Sequence, residues 1–253
     1  AASDVYKRQG HPNTAFAVAS MGEPLSFSDT MVTSTPDLNP IKAFVFCGQG
    51  PQHEHMGVHM YTRFAAFRNS VNASFEMVAK FHKKNFQDEY GLFNPELNGK
   101  VAKTDKGDWK VECIVIAITI FQIALFDLWV DLGVQPDVVL GHSVGEIAAM
   151  YASGALTHEK AIRTAIARSN ALSLLDTIDG QMAALGMSRQ EAEQLIQRIM
   201  KENGTDTGLW VSASNSTNAV AVSGKTSLLE QVVADCESKQ IFARLLRVGG
   251  PYH

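Results

Sequence analysis

The stretch that decides the fold is Pro136-Asp137-Val138-Val139-Leu140-Gly141-His142-Ser143-Val144-Gly145-Glu146. It predicts a short buried strand, a sharp turn that carries one serine, and a helix from Val144 to about Ser153. The glycines two places before and two places after Ser143 allow the strained turn of a nucleophile elbow, which holds the serine Oγ clear of the sheet. These three positions alone occur by chance in about one chain in ten of this length. The prediction therefore depends on the strand before the turn and the helix after it.

Composition narrows the class of protein that carries this turn. The chain has 253 residues, of which 45% are hydrophobic and 19% charged, as is typical of a soluble globular enzyme. A formal net charge of −4 gives no basic surface for nucleic acid or anionic lipid, so we expect neither as a partner. Three scattered cysteines are too few for a disulfide framework or a zinc site. They indicate a reducing compartment, and the expected location is cytoplasmic.

The longest uncharged run covers residues 113–126 and lies within a helical pattern at 111–132. A membrane-spanning helix needs about 20 apolar residues, so this run predicts a buried core helix.

The order of predicted elements divides the chain. Residues 1–39 are polar and proline-containing and are interpreted as a linker. Residues 1–9 are expected to be foreign sequence, and the chain is expected to be a C-terminally truncated fragment. Residues 40–178 are predicted as a large α/β subdomain with the elbow. Residues 179–247 follow the order βαββαβ, which is the ferredoxin-like arrangement. Residues 248–253 return to the large subdomain. The predicted fold class is α/β, an α/β-hydrolase-like large subdomain with an inserted ferredoxin-like small subdomain.

An elbow serine needs a base, and the eight histidines supply the candidates. His142 adjoins Ser143, but its side chain is expected to point away from the reactive side, as a structural or pocket-wall residue. By elimination His253 is the candidate base. Three further histidines surround one glutamate, but their spacing fits no single helix face, so we predict a solvated loop and no metal site there: His53, His55 and His59.

Oxyanion donors and a substrate-holding group complete the requirements. Val144 supplies one backbone N–H, and the loop Gly48-Gln49-Gly50 after the first strand supplies a second unless it is an ordinary glycine turn. A helix predicted from Thr157 to about Leu175 carries Arg163 and Arg168. Either could bind an anionic substrate through a bidentate carboxylate pair, and either could equally be a surface arginine.

The chain resembles the acyltransferase domain of type I polyketide synthases and related fatty acid synthases, the malonyl-CoA:acyl-carrier-protein transacylase family. Four features carry the resemblance: residues 44–52 (FVFCGQGPQ), the elbow at 141–146, the helix at 156–171 with Arg168 at the family's arginine position, and Pro251-Tyr252-His253. The βαββαβ insertion is also typical of the family. The resemblance covers about residues 41–253.

The resemblance implies a role for each matching residue. Ser143 would be the acylated nucleophile and His253 its base, held by backbone carbonyls. Arg168 would pair with the carboxylate of a malonyl-type extender. Gln49 and Val144 would give the oxyanion N–H groups, and Asn215 would lie near the histidine.

The resemblance also implies substrates and partners. An acyl-CoA would acylate the serine, and malonyl-CoA is the expected substrate because Tyr252 and Val144 match the malonyl-selecting pattern. The phosphopantetheine thiol of an acyl carrier protein would then take the acyl group. No cofactor is expected to be bound. A ketosynthase and other synthase domains are the expected covalent neighbours.

Two alternatives stay open from the sequence. A serine hydrolase on the same elbow would need a triad acid between the serine and the histidine, for which the candidates include Asp176, Asp179 and Asp206. A non-catalytic carrier-docking fragment is the other alternative.

Overall fold

A computed structural model describes residues 41–82, 91–93, 109–246 and 248–253. The predicted linker at 1–39 lies outside these residues. The elements are β1 (Ala43–Phe46), α1 (Val58–Arg63), α2 (Ala65–His82), α3 (Val111–Asp131), β2 (Val138–Gly141), α4 (Gly145–Ala152), α5 (His158–Ser173), a 3-10 turn (Leu174–Thr177), β3 (Gln181–Leu185), α6 (Arg189–Glu202), β4 (Leu209–Ser216), β5 (Ala219–Gly224), α7 (Thr226–Ser238) and β6 (Ala243–Leu245).

The described residues fall into two contact units. The smaller unit consists of residues 41–43 and 136–138, in which the carbonyl of Lys42 accepts hydrogen bonds from the N–H groups of Asp137 and Val138. The Lys42 ammonium also lies 3.2 Å from the Asp137 carboxylate. The larger unit holds residues 44–135 and 139–253 and contains every candidate site residue.

Helix α3 is the centre of the larger hydrophobic core. It packs against α2, α4 and α5, and thirteen of its residues are buried. With 21 residues it is long and apolar enough to span a bilayer, so length alone does not exclude a span. Of the most apolar part of this helix, 67% is buried inside the protein, as is typical of a core helix.

Strands β3 to β6 form a four-stranded sheet with the order β4-β5-β3-β6 and antiparallel pairing throughout. Its chain order β3-α6-β4-β5-α7-β6 is the predicted βαββαβ. Helix α6 begins with a capping box in which Ser188 and Glu191 each bond the other's backbone N–H, as the Ser-x-x-Glu spacing dictates. The predicted boundaries of the subdomains stay predictions.

The two faces of strand β3 bury different neighbours because side chains alternate along a strand. Ala183 and Leu185 pack into the small hydrophobic core under α6 and α7. Met182 and Ala184 point to the other face and line the cavity that contains Ser143. One face of the small sheet therefore lines the cavity, and the other face packs into a separate hydrophobic core.

Two predicted boundaries differ from the structure. The elbow helix begins at Gly145, one residue later than predicted, with Val144 as its N-cap. The helix predicted to reach Leu175 ends at Ser173 and tightens into the 3-10 turn, a common ending for an α-helix.

Candidate active site

Ser143 lies on a strained turn between β2 and α4. Its φ is 54°, in the left-handed region that is unusual for a residue with a side chain. A Cβ on Gly145 would collide with the carbonyl of Phe46, and one on Gly141 would come within 2.5 Å of the Glu146 backbone. The two glycines therefore allow the chain to pass close to the end of β1, and the turn has the geometry of a nucleophile elbow.

The Ser143 Oγ lies 2.6 Å from Nε2 of His253, although 110 residues separate the two in sequence. This is the distance at which an imidazole can accept the hydroxyl proton. No carboxylate within the described residues forms a hydrogen bond or an ion pair with His253. In this part of the chain the arrangement is a serine–histidine pair without a triad acid.

The environment of His253 keeps its imidazole neutral. Burial lowers the pKa of His253 below the usual 6.5, and electrostatic interactions with Arg168 and His142 lower it further, while Glu146 acts in the opposite direction. A neutral imidazole is the form that can take a proton from Ser143.

Of the two candidate arginines, only Arg168 reaches the nucleophile. Its Nη2 donates to Ser143 Oγ at 3.3 Å, and its buried Nε has no hydrogen-bond partner within the described residues. Arg163 lies on the outer face of α5 with 61% of its side chain exposed, 3.8 Å from Glu159. The structure therefore places Arg168 at the site, and no carboxylate in the described ranges pairs with it, as a binding group for an anion requires.

The two predicted oxyanion donors flank the serine. Val144 is 2% exposed, and its backbone N–H makes no hydrogen bond within the described residues. The same is true of the N–H of Gln49, and the side chain of Gln49 lines the cavity with Ser143. Its buried Nε2 also has no partner in the described part of the chain. Unpaired donors beside a nucleophile can stabilise a developing oxyanion.

A cavity of about 600 Å³ joins these groups. Tyr252 forms part of its wall and is 7% exposed. His142 and Asn215 line the cavity as well, and His142 Nε2 lies 3.3 Å from Asn215 Oδ1. Asn215, which the resemblance placed near the catalytic histidine, is thus hydrogen-bonded to the other histidine of the site.

Three residues have contacts at the site that the sequence did not predict. Gln122, on α3, donates from Nε2 to the carbonyl of Cys47 at 2.8 Å and fixes the loop after β1. Glu146 lines the cavity one turn after the nucleophile. Asp176, considered only as a triad acid, accepts a hydrogen bond from the Tyr252 hydroxyl at 2.5 Å. Local patterns give no signal for such contacts, except that a glutamine in an otherwise apolar helix suggests a buried polar partner.

Metal binding has no candidate site among the described residues. No group of three or more His, Cys, Asp or Glu side chains in that part of the chain could hold an ion. The three histidines around Glu54 lie within the described residues and form no such group.

The sequence pattern of the family described as "Acyl transferase domain" matches residues 43–253. The chain belongs to this family. The matched range of this acyltransferase domain includes the elbow, both catalytic candidates and the arginine of α5.

Curated relatives of the acyltransferase domain are polyketide synthases. A highly reducing polyketide synthase of Strobilurus tenacellus is 35% identical over 219 residues, which are 86% of this chain and 8% of the relative. A highly reducing polyketide synthase of Aspergillus terreus is 36% identical over 237 residues, 92% of this chain and 9% of that protein. The chain therefore spans less than a tenth of the length of the relatives it matches, and it is an acyltransferase domain of the polyketide synthase type.

Solved structures confirm the predicted fold class. A loading acyltransferase from the avermectin modular polyketide synthase is 29% identical, with a TM-score of 0.67 over 83% of this chain and 62% of that one. The acyltransferase domain of the polyketide synthase PpsC of Mycobacterium tuberculosis is 25% identical, with a TM-score of 0.69 over 83% of this chain and 57% of that one.

Proposed function

We propose that the domain loads a malonyl group from malonyl-CoA onto the phosphopantetheine thiol of an acyl carrier protein. The observation that carries the proposal is the position of Arg168, whose guanidinium lies 3.3 Å from the nucleophile without a carboxylate partner in the described residues. A substrate that brings its own carboxylate to Ser143 satisfies this cation. A neutral acyl group leaves it unpaired.

The first half of the reaction is acylation of the serine. His253 Nε2 takes the hydroxyl proton of Ser143 as Oγ attacks the thioester carbonyl of malonyl-CoA. The backbone N–H groups of Gln49 and Val144 hold the oxyanion of the tetrahedral intermediate. The C–S bond then breaks, the CoA thiolate takes the proton from His253, and malonyl remains as an ester on Ser143.

The second half reverses these steps with a different thiol. His253 takes the proton of the carrier's phosphopantetheine thiol, and the sulfur attacks the malonyl ester. The serine oxygen leaves with the proton from His253, which restores the free enzyme. The domain therefore alternates between two thiols of the same chemical type at one pocket.

Malonyl selection over methylmalonyl rests on the wall of the pocket. The ring of Tyr252 is buried beside His253 and lines the cavity, so an α-methyl branch meets a side chain that does not move freely. One methyl group in such a pocket changes selectivity by about tenfold or more.

The setting of the domain is part of the proposal. The relatives are large synthases, so we infer covalent neighbours that include a ketosynthase and a carrier protein. All three cysteines are free, which fits work in the reducing cytoplasm.

The test is intact-protein mass spectrometry of the folded chain mixed with malonyl-CoA, methylmalonyl-CoA or acetyl-CoA. We expect a malonyl adduct that is absent in Ser143→Ala and present in the control Ser153→Ala, whose exposed hydroxyl lies at the end of α4. Adding a phosphopantetheinylated carrier protein should move the malonyl group to the carrier.

Two outcomes contradict the proposal. Release of free malonate without transfer to any carrier, together with neutral-ester cleavage that persists in Arg168→Ala, identifies a hydrolase. No adduct from any of the three thioesters in a folded protein, with carrier binding retained in Ser143→Ala, identifies a non-catalytic docking module.

A further inference from the structure

We infer that Asp176 is a positioning residue for the catalytic histidine and acts through Tyr252. The inference rests on the proposed function, because the step it affects is the acylation of Ser143. Asp176 accepts a 2.5 Å hydrogen bond from the Tyr252 hydroxyl, and Tyr252 is the residue directly before His253. The phenol thus ties the segment that carries the base to the end of helix α5.

The bond is of a strong kind. A hydroxyl that donates to a carboxylate at 2.5–2.7 Å forms a charge-assisted hydrogen bond, about twice as strong as a neutral one. The tyrosine ring is almost completely buried, whereas Asp176 is exposed, so water can hydrate the carboxylate if the phenol is removed. Loss of the hydroxyl therefore leaves no unsatisfied buried group that would unfold the protein.

The segment before the histidine is shaped around the tyrosine ring. A Cβ on Gly250 would lie 3.1 Å from Cε1 of Tyr252 and 3.2 Å from the carbonyl of Leu175, so the backbone passes close to both. Pro251 has a fixed φ and packs against Gly180. The ring is held between this segment and the 3-10 turn, and the hydroxyl bond fixes the depth at which it lies.

One helix therefore orients two parts of the site. Arg168 lies on α5, and Asp176 lies on the 3-10 turn that directly continues it. The arginine contacts the nucleophile, and the aspartate holds the residue next to the base. Catalysis by proton transfer depends steeply on the distance between serine and histidine, so a looser segment reduces the fraction of molecules in the reactive geometry.

Asp176 does not act as the acid of a catalytic triad. Its carboxylate binds the tyrosine hydroxyl, and within the described part of the chain it forms no hydrogen bond with the imidazole of His253, which a triad acid orients directly. Removing its charge should therefore lower the rate without changing the pH at which His253 titrates.

The experiment measures single-turnover acylation by malonyl-CoA and by acetyl-CoA in the intact chain and its variants. Tyr252→Phe should lower the rate at saturating malonyl-CoA about tenfold, the loss expected for one charge-assisted hydrogen bond used in positioning. The half-saturating concentration should stay within about twofold, since the bond touches no substrate group. Acetyl-CoA should lose the same factor.

Coupling between the two residues is the deciding readout. Asp176→Ala should lose as much as Tyr252→Phe, and the double variant should lose no more than either, because both remove one bond. Asp176→Asn keeps an oxygen acceptor and should lose less. The control is Asp179→Asn, three residues further on and exposed, which should act at the wild-type rate.

Several results would overturn the inference while the proposed function stands. They are a wild-type rate in Tyr252→Phe, additive losses in the double variant, or a lower melting temperature with an unchanged rate per folded molecule. A loss confined to malonyl-CoA would instead assign the bond to substrate binding. If the unsubstituted chain forms no acyl-serine with either thioester, the proposed function itself fails.

Discussion

Replacing Arg168 by glutamine tests the link between the arginine and an anionic substrate. Glutamine keeps a planar hydrogen-bonding group of similar length but removes the positive charge beside the nucleophile. The guanidinium Nη2 lies 3.3 Å from Ser143 Oγ, so a malonyl group on the serine brings its carboxylate within contact of the same side chain. An acetyl group on the serine has no carboxylate and makes no such contact.

The size of the effect follows from the charges. Two opposite unit charges about 4 Å apart at an effective dielectric constant of about 20 attract by about 4 kcal/mol. A hydrogen bond to a charged group contributes about 1.5–3 kcal/mol net. Taking about 2–4 kcal/mol as the net loss, malonyl acylation should fall by about 30-fold to about 1,000-fold, since 1.36 kcal/mol is a factor of ten.

The assay compares kcat/KM for malonyl-CoA and acetyl-CoA in the same preparation, so that losses from misfolding cancel in the ratio. Arg163→Gln is the matched control, since this exposed arginine lies on the same helix and contacts Glu159 and the ring of Phe81 instead of the nucleophile. Its ratio should stay within about twofold of the wild type. Equal losses for both thioesters in Arg168→Gln, or an unchanged malonyl rate, would refute the assignment of the arginine to the substrate carboxylate.

Three further predictions follow from the structure. Burial and nearby positive charge lower the pKa of His253, so the neutral base should persist into mild acid. The acidic limb of a pH profile of kcat/KM for malonyl-CoA should therefore lie below pH 6.5, and a limb above pH 7 would contradict this. Ser188→Ala removes the capping box of α6 and should cost about 1 kcal/mol, which calorimetry would record as a melting temperature about 2–4 °C lower, with acylation unchanged. Iodoacetamide should modify the exposed Cys47 in the native protein and should spare Cys113 and Cys236, whose burial raises their pKa values, until denaturant is added; mass spectrometry counts the adducts.

Much of the fold could be predicted because its signals are local. The elbow is a fixed spacing of two glycines around Ser143, and the helix carrying Arg168 begins directly after Thr157, whose side chain caps it by accepting from the N–H of Lys160. Both patterns can be recognised within a few residues. The resemblance then supplied His253, for which elimination among eight histidines gave only weak support.

The rest depends on contacts between distant residues. Tyr252 and Asp176 are 76 residues apart, and no spacing in the sequence marks them as a pair. Asn215 was expected near the catalytic histidine and lines the same cavity as His253, but its hydrogen bond with His142 was not expected, because a side chain's partner is set by how the small sheet lies over the elbow. Such partners are fixed by tertiary packing, which periodicity does not encode.

The alternation along strand β3 has an evolutionary consequence. Along this strand, residues that face the cavity alternate with residues that face the small core. Neighbouring positions are therefore under different constraints, one on the shape of the pocket and the next on the stability of the core. A change at Ala184 alters the shape of the acyl pocket, whereas a change at Ala183 disturbs a core in which that residue is completely buried. Substrate preference can therefore drift along one strand while the stability of the subdomain is conserved.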